Sequence, residues 1–514
     1  MAFFRASTVH YLNRPKCVTI RNIRIRSTNN LVKEADGIDS KDVKSFDEMP
    51  GPSMLKVMKA AFSGQLQKPW KLLHQFKRDY GPIWKQMLGS NVVVNLTDPQ
   101  DFEFVLRNEG KYPRRLQVDP WLIHRQERNL GLGVLLHEGA DWQRNRAALS
   151  KRMMRPREVA TYSDTVNDVI TDLVNSLVRG RNNYGKDNIV PDLENTVFKW
   201  SLDSACSVIL NKKLNLLDDK PHPEAQEFIQ AVHDMFDSLM WLFVFPVHLH
   251  KKFNTKPWRK QLRAWDTIFA LAKTLIDERV NDVTKRLTSG EDIDVEGTDF
   301  ITYLFIKGTL DIGEIYANAT ELLAAAVDTT SNTFLWILYF LAKHPHVQES
   351  LYEEIKRVVP TGVTPTHEHV NKMPYLKAVL KETMRVYPPA TQIGRILDRD
   401  VIIRGYRIPA KTLIGGNVWL MGQDPANFPD PLEFRPERWI REENEQFYGF
   451  KSLPFGYGPR MCIGKRLAEL EIHLATIRVC GQFTLEPTCD VEAKVTTITV
   501  PDRPLNLRFM SRNA

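Results

Sequence analysis

Phe455-Gly456-Tyr457-Gly458-Pro459-Arg460-Met461-Cys462-Ile463-Gly464 is the most informative stretch of this 514-residue chain. Its glycines let a backbone loop come very close to a flat partner. Cys462 stands just ahead of a helical pattern that begins near residue 463. A helix N-terminus offers unpaired N–H groups and the positive end of a dipole, and both favour a thiolate. The remaining cysteines (Cys17, Cys206, Cys480 and Cys489) have no such setting, and five in a chain this long do not make a disulfide framework.

On either side of this loop the patterns are mostly helical. Residues 159–178, 225–240, 258–285, 312–343, 346–359, 373–386 and 463–479 carry amphipathic or fully apolar helical periodicity. Strand signals are short: 92–96, 401–406 with 407–409, and the runs 494–500 and 504–509, read as a pair. The polar stretch 284–297 reads as a surface loop. The fold class expected is mainly α with small β-sheets (α+β), as one large domain over 53–514, preceded by a polar linker at 36–52 that ends in Pro50-Gly51-Pro52. Within 312–343, the run Asp328-Thr329-Thr330-Ser331-Asn332-Thr333 makes a membrane span untenable and marks a polar notch where a buried helix can open around a ligand.

The net charge of +8 invites a nucleic-acid reading, but all except about +1 of it lies in residues 1–33, which hold seven basic residues and no acid. An Arg-rich, hydroxyl-containing, acid-free leader is the pattern of a mitochondrial transit peptide, assigned to 1–35; a disordered basic tail is the bland alternative. No nucleic-acid partner is expected.

A thiolate cradled by amides, with Arg460 two residues upstream, suits the proximal ligand of a haem whose carboxylates need a cation. The stretch resembles the haem-binding loop of the cytochrome P450 family, Phe-x-x-Gly-x-Arg-x-Cys-x-Gly, at Phe455, Gly458, Arg460, Cys462 and Gly464. The resemblance implies haem b (iron protoporphyrin IX) on Cys462, a single haem-enclosing domain, and insertion of one oxygen atom of O2 into a C–H bond. It extends to Glu382-x-x-Arg385 and Phe434-Arg435-Pro436-Glu437-Arg438-Trp439, which imply a buried ion network of Glu382, Arg385 and Arg438. Trp142-x-x-x-Arg146 places two donors on one helix face; by resemblance they meet the haem propionates together with Arg395 and Arg460. Ala325-Ala326-Val327-Asp328-Thr329-Thr330 matches the segment where small residues admit the cofactor and O2, and where Asp328 and Thr329 relay protons.

The leader replaces the apolar anchor of microsomal members, and the chain resembles the animal mitochondrial group. That group implies electrons from NADPH through a ferredoxin reductase and an adrenodoxin-like [2Fe–2S] ferredoxin. By the same resemblance the ferredoxin docks on Lys377, Lys381, Lys465 and Arg466, because a local basic patch steers a transient acidic partner. The apolar run Trp241-Leu242-Phe243-Val244-Phe245-Pro246, followed by His248, His250, Lys251 and Lys252, reads as peripheral membrane contact; in that group this is the matrix side of the inner membrane. Val118-Asp119-Pro120-Trp121, residues 138–144, and Ala325-Ala326 in place of Ala-Gly resemble the vitamin D-hydroxylating branch. Residues 389–395 depart from it, with Ile393 and Gly394 where that branch carries Thr-Thr before the arginine, and with Gln392 as a new polar group. The candidate pocket is Val118, Trp121, Leu135, Leu136, Phe243, Ala325, Gln392, Ile393 and Ile498. The substrate expected is a lipophilic sterol or secosteroid, with vitamin D-type side-chain hydroxylation favoured. A cholesterol or bile-acid-type hydroxylase of the same group is the alternative, and a haem-thiolate isomerase needing no electron donor is a remoter one.

Overall fold

The computed structural model describes residues 43–63, 65, 68–220, 222–290, 298–440 and 448–512. The leader and the first part of the linker, 1–42, lie outside the described residues.

The long helix Ile312–Lys343 is the axis of the molecule. Asp311 and Glu314 close its N-terminus as a capping box, each satisfying the other's backbone N–H. Apolar residues surround the helix on all sides, which is the signature of a buried helix rather than a surface one. It packs on Leu193–Ile209, Lys256–Thr288, Pro374–Val386 and Lys465–Gln482. From 317 to 342 every residue is buried except Ala325, Ala326 and Thr329.

The helix runs unbroken through its polar notch, so no opening exists there. The side chains bond back along the helix instead: Thr329 Oγ1 donates to the Ala325 carbonyl (2.7 Å), Asn332 Nδ2 to that of Asp328 (2.8 Å) and Thr333 Oγ1 to that of Thr329 (2.8 Å).

The seven helical patterns all form helices. Lys256–Thr288 continues past the expected loop start at 284, because Val283 is buried and Thr284 Oγ1 donates back to the Val280 carbonyl at 2.7 Å. Residues 291–297 lie outside the described residues.

The main sheet has four strands in the order Ile83–Leu88, Asn91–Leu96, Leu413–Gly416 and Ile393–Ile396, with the two central strands parallel. Gly416 is required there, since a Cβ would run into the Phe102 ring. Val401–Ile403 and Tyr406–Ile408 form the expected hairpin, turning at Arg404 (φ 49°) and Gly405 (φ 78°).

The expected pairing of 494–500 with 504–509 is overturned. Ala493–Val495 folds back on Thr499–Pro501, and Leu507–Ser511 pairs with Phe483–Pro487. Pro501 and Pro504 interrupt the connection that the other pairing needs. Phe483 and Phe509 meet edge to face at 5.5 Å across the observed one.

Residues 44–52 belong to the folded body rather than to a free linker. Lys44 bridges to Tyr406, Met49 is buried, and Lys85 N–H donates to the Pro50 carbonyl (2.9 Å). No helix among the described residues is long and apolar enough to cross a membrane.

Candidate active site around Cys462

Two glycines with positive φ, Gly456 and Gly458 (both 74°), fold the loop back so that Cys462 N–H donates to the Phe455 carbonyl at 2.8 Å. Gly464 caps the helix Lys465–Gln482. The Gly464 and Lys465 amides and the Arg146 charge draw the Cys462 thiol pKa down, but burial outweighs them and holds it above its ordinary value. Cys462 is exposed, and Arg146 lies near enough for its charge to act on the sulfur. The helix after Cys462 packs directly on the long helix, which carries the half-buried Ala325, Ala326 and Thr329.

Arg460 lies over Trp142, 4.0 Å from the ring centroid. Its Nε donates to the Pro113 carbonyl (2.9 Å) and its Nη2 to the His137 carbonyl (3.1 Å), while Nη1 is buried with no hydrogen-bond partner among the described residues. Burial, with the repulsion of Arg115, Arg395 and Arg146, pushes its pKa down to about 9. Arg146 is likewise brought down to about 10, chiefly by burial. Arg460 Nη2 also lies 3.3 Å from Glu138 Oε1, so the donor left over in this cluster of cations is the buried Nη1, and a carboxylate of a haem fits it. Arg395 differs: its Nε is held by Glu109, and Nη1 and Nη2 donate to the carbonyls of Gly394 (2.9 Å) and Tyr457 (3.1 Å). Arg115 belongs to the cluster and was not anticipated, since a basic doublet after Pro113 looks like any surface turn.

Behind the loop, Glu382 and Arg385 are fully buried and form a bidentate pair, with both contacts at 2.8 Å. Arg438 Nε (2.9 Å), Arg435 N–H (2.9 Å) and Trp439 Nε1 (2.8 Å) also donate to Glu382. Arg385 further donates to the carbonyls of Gly422, Pro431 and Glu433. With every donor and acceptor used, the buried charges are tolerable.

Asp328, 3 % exposed, turns towards the helix Pro223–Leu242, where His233 Nε2 lies 3.1 Å from its Oδ1. The contact has ion-pair distance but poor hydrogen-bond direction. Burial raises the Asp328 pKa against the pull of His233. His233 is raised because the attraction of Asp328, Asp234 and Glu194 exceeds the effect of its own burial. A lone histidine on an amphipathic helix gave no sequence signal of this role.

Of the pocket candidates, Val118, Leu135, Phe243, Ala325 and Ile393 are half-buried, whereas Leu136 and Ile498 are buried. Trp121 is committed to Trp265, edge to face at 5.1 Å. Gln392 is committed to the sheet, its Nε2 donating to Asn95 Oδ1 at 2.9 Å. On the opposite face, Lys377, Lys381, Lys465 and Arg466 converge on Glu469, whose carboxyl lies 3.9 Å from Lys465 and 3.6 Å from Arg466. A surface depression on this cysteine side is lined in part by Lys381, Arg435, Lys451 and Lys465. Cys462 is not among its lining residues.

The sequence pattern of the family described as Cytochrome P450 matches residues 49–509. The mitochondrial 1,25-dihydroxyvitamin D(3) 24-hydroxylase of Mus musculus is 36% identical over 477 residues, covering 92% of this chain and 90% of that protein. The mitochondrial 25-hydroxyvitamin D-1 alpha hydroxylase of Homo sapiens is 35% identical over 476 residues (91% and 93%). The mitochondrial sterol 26-hydroxylase of Oryctolagus cuniculus is 34% identical over 485 residues (92% and 90%). With a mainly α fold and a cysteine loop to match, the chain belongs to the cytochrome P450 family, as a monooxygenase with haem iron as its cofactor.

Proposed function

We propose that the protein is a mitochondrial monooxygenase that hydroxylates the side chain of a secosteroid of the vitamin D class. Its electrons come from NADPH through a ferredoxin reductase and a [2Fe–2S] ferredoxin. The observation that carries this is the identity of about one residue in three, over nine-tenths of the chain, to mitochondrial vitamin D and sterol hydroxylases. The sterol 26-hydroxylase relatives keep a cholesterol-type substrate as the second reading.

Cys462 would hold the iron, while Arg115, Arg146, Arg460 and Trp142 would hold the haem carboxylates, with Arg395 steadying the loop through Glu109 and Tyr457. Phe455 and Gly464 would frame the thiolate. Bound haem supplies O2 activation. The chain's own residues supply the protons: His233, 35 % exposed at its side chain, links solvent to buried Asp328, and half-buried Thr329, whose hydroxyl rests on the Ala325 carbonyl, stands next to it in the helix. Small Ala325 and Ala326 leave room beside it.

Lys377, Lys381, Lys465 and Arg466 form a cationic face on the cysteine side that suits an acidic ferredoxin. Exposed Leu55 (78 %) and Phe253 (69 %), with Trp241 and the basic Lys251 and Lys252, suit peripheral contact with an inner membrane facing the matrix. The leader 1–35 would be the transit peptide.

The test is spectral titration of the haem-loaded protein with a 25-hydroxylated secosteroid and with cholesterol. A spin-state change at lower concentration of the secosteroid is expected. A response to cholesterol alone selects the second reading, and a response to neither removes the substrate class.

A further inference from the structure

Residues 131–136 join the helix Asp119–Glu127 to the helix Gly139–Met154 and carry Leu135 and Leu136. A short loop of this kind has backbone N–H groups that need partners. Two side chains of the long helix supply them. Glu321 accepts from Gly133 N–H through Oε1 (3.3 Å) and from Leu135 N–H through Oε2 (3.0 Å), and Asn318 Oδ1 accepts from Val134 N–H (2.8 Å).

Asn318 is itself fixed, its Nδ2 donating to Asn145 Oδ1 (2.6 Å) and to the Glu314 carbonyl (2.7 Å). The fit is tight enough to require two glycines: a Cβ at Gly131 would run into the Gly313 carbonyl, and one at Gly133 into the Glu321 carboxylate. Glu321 is 1 % exposed, and Arg125 and Arg115 are the cations that act on it. Burial raises its pKa while these cations and the two amides pull it down, and both of its oxygens accept from N–H donors. Arg115 in turn donates to the Leu135 carbonyl at 2.5 Å.

Glu321 and Ala325 are four residues apart and therefore share one helix face. The clasp thus fastens the wall carrying Leu135 and Leu136 one turn before the half-buried stripe of Ala325, Ala326 and Thr329. Through Arg115 the same wall is tied to the cation cluster beside Cys462. We propose that Glu321, assisted by Asn318, is a positioning residue that fixes residues 131–136 over the reaction site and so determines which substrate carbon is oxidised. This rests on reading the region beside Cys462 as that site. Glu321 touches no reacting atom; it acts through the loop.

The test uses the full-length, haem-loaded protein and Glu321→Gln. Glutamine keeps the size but sets an NH2 against the N–H of Gly133 or Leu135. Two readouts are compared with wild type. One is amide hydrogen exchange; the other is the distribution of hydroxylation positions on a 25-hydroxylated secosteroid and on cholesterol. The expected result is exchange at 133–136 faster by about tenfold, unchanged exchange in Leu193–Ile209, and more than one product position, with KM raised more than kcat is lowered. Asn318→Ser, which removes the Val134 contact together with the amide's bonds to Asn145 and the Glu314 carbonyl but leaves both Glu321 contacts in place, should give the same pattern more weakly and keeps the test open if Glu321→Gln fails to fold. Unchanged exchange at 133–136, exchange raised uniformly across the chain, or local loosening with an unaltered product distribution would each overturn the proposal. Failure of the wild type to oxidise either compound would count against the function instead, because the exchange readout does not depend on turnover.

Discussion

Asp328 and His233 meet at ion-pair distance, 3.1 Å, with Asp328 buried. The raised pKa of Asp328 bounds the ion pair on the acid side, and the raised pKa of His233 bounds it on the alkaline side. A histidine with a raised pKa contributes stability that is complete below its ordinary value near 6.5 and is lost as pH rises through the raised one. The gap in thermal midpoint between wild type and His233→Gln should therefore be widest near pH 6.5 and close above it. A gap that widens with pH would contradict the pairing. Turnover should fall on the same alkaline limb in wild type and lose that limb in His233→Gln. Asp328→Asn should lower turnover by about a hundredfold while substrate binding persists, as expected of a lost proton relay; steady-state kinetics with substrate titration separates the two effects. Asp328 was legible in the sequence because it stands in a polar run inside an apolar helix. His233, Arg115 and Glu321 were not, since their meaning lies in partners far along the chain, such as Gly133, 188 residues from Glu321.

Helices were read well because a period of 3.6 survives in the sequence whatever lies opposite. Strand pairing was read poorly at the C-terminus, where Phe483–Pro487 follows a helix without a turn signal and only its contact with Phe509 reveals its partner. The notch in the long helix misled for a related reason: six polar residues look like a break until their bonds to carbonyls one turn back are seen. The Glu382–Arg385–Arg438 network was suggested by spacing only once the family resemblance was in hand. Removing one partner, as in Arg385→Leu, leaves a buried charge and should cost about 3–5 kcal/mol, read as a lower unfolding midpoint or loss of soluble protein; a midpoint within a degree of wild type would refute the network's role. Gly416→Ala, which forces a methyl into the Phe102 ring, should cost about 1–3 kcal/mol by denaturant titration, with unchanged stability the contrary result.

Across the whole molecule, charge and apolar surface are divided between faces. The excess positive charge lies in the leader, leaving a nearly neutral body on which four cations gather around Glu469 beside the cysteine loop. A small patch of that kind steers a partner without making the protein generally basic. Charge reversal at Lys377 and Lys381 together should raise the ferredoxin KM by about tenfold at low salt, the loss shrinking as salt screens the patch; unchanged kinetics would remove the docking face. The central claim, that this is a ferredoxin-driven hydroxylase of a sterol-like side chain, is tested most directly by reconstituted turnover. Purified protein lacking residues 1–35 is combined with NADPH, ferredoxin reductase, ferredoxin, and a panel of sterols and 25-hydroxylated secosteroids, and the products are read by mass spectrometry. A side-chain-hydroxylated secosteroid that requires every component is the expected product. Product formed with a microsomal flavoprotein reductase but not with ferredoxin, or formed without NADPH, would contradict it.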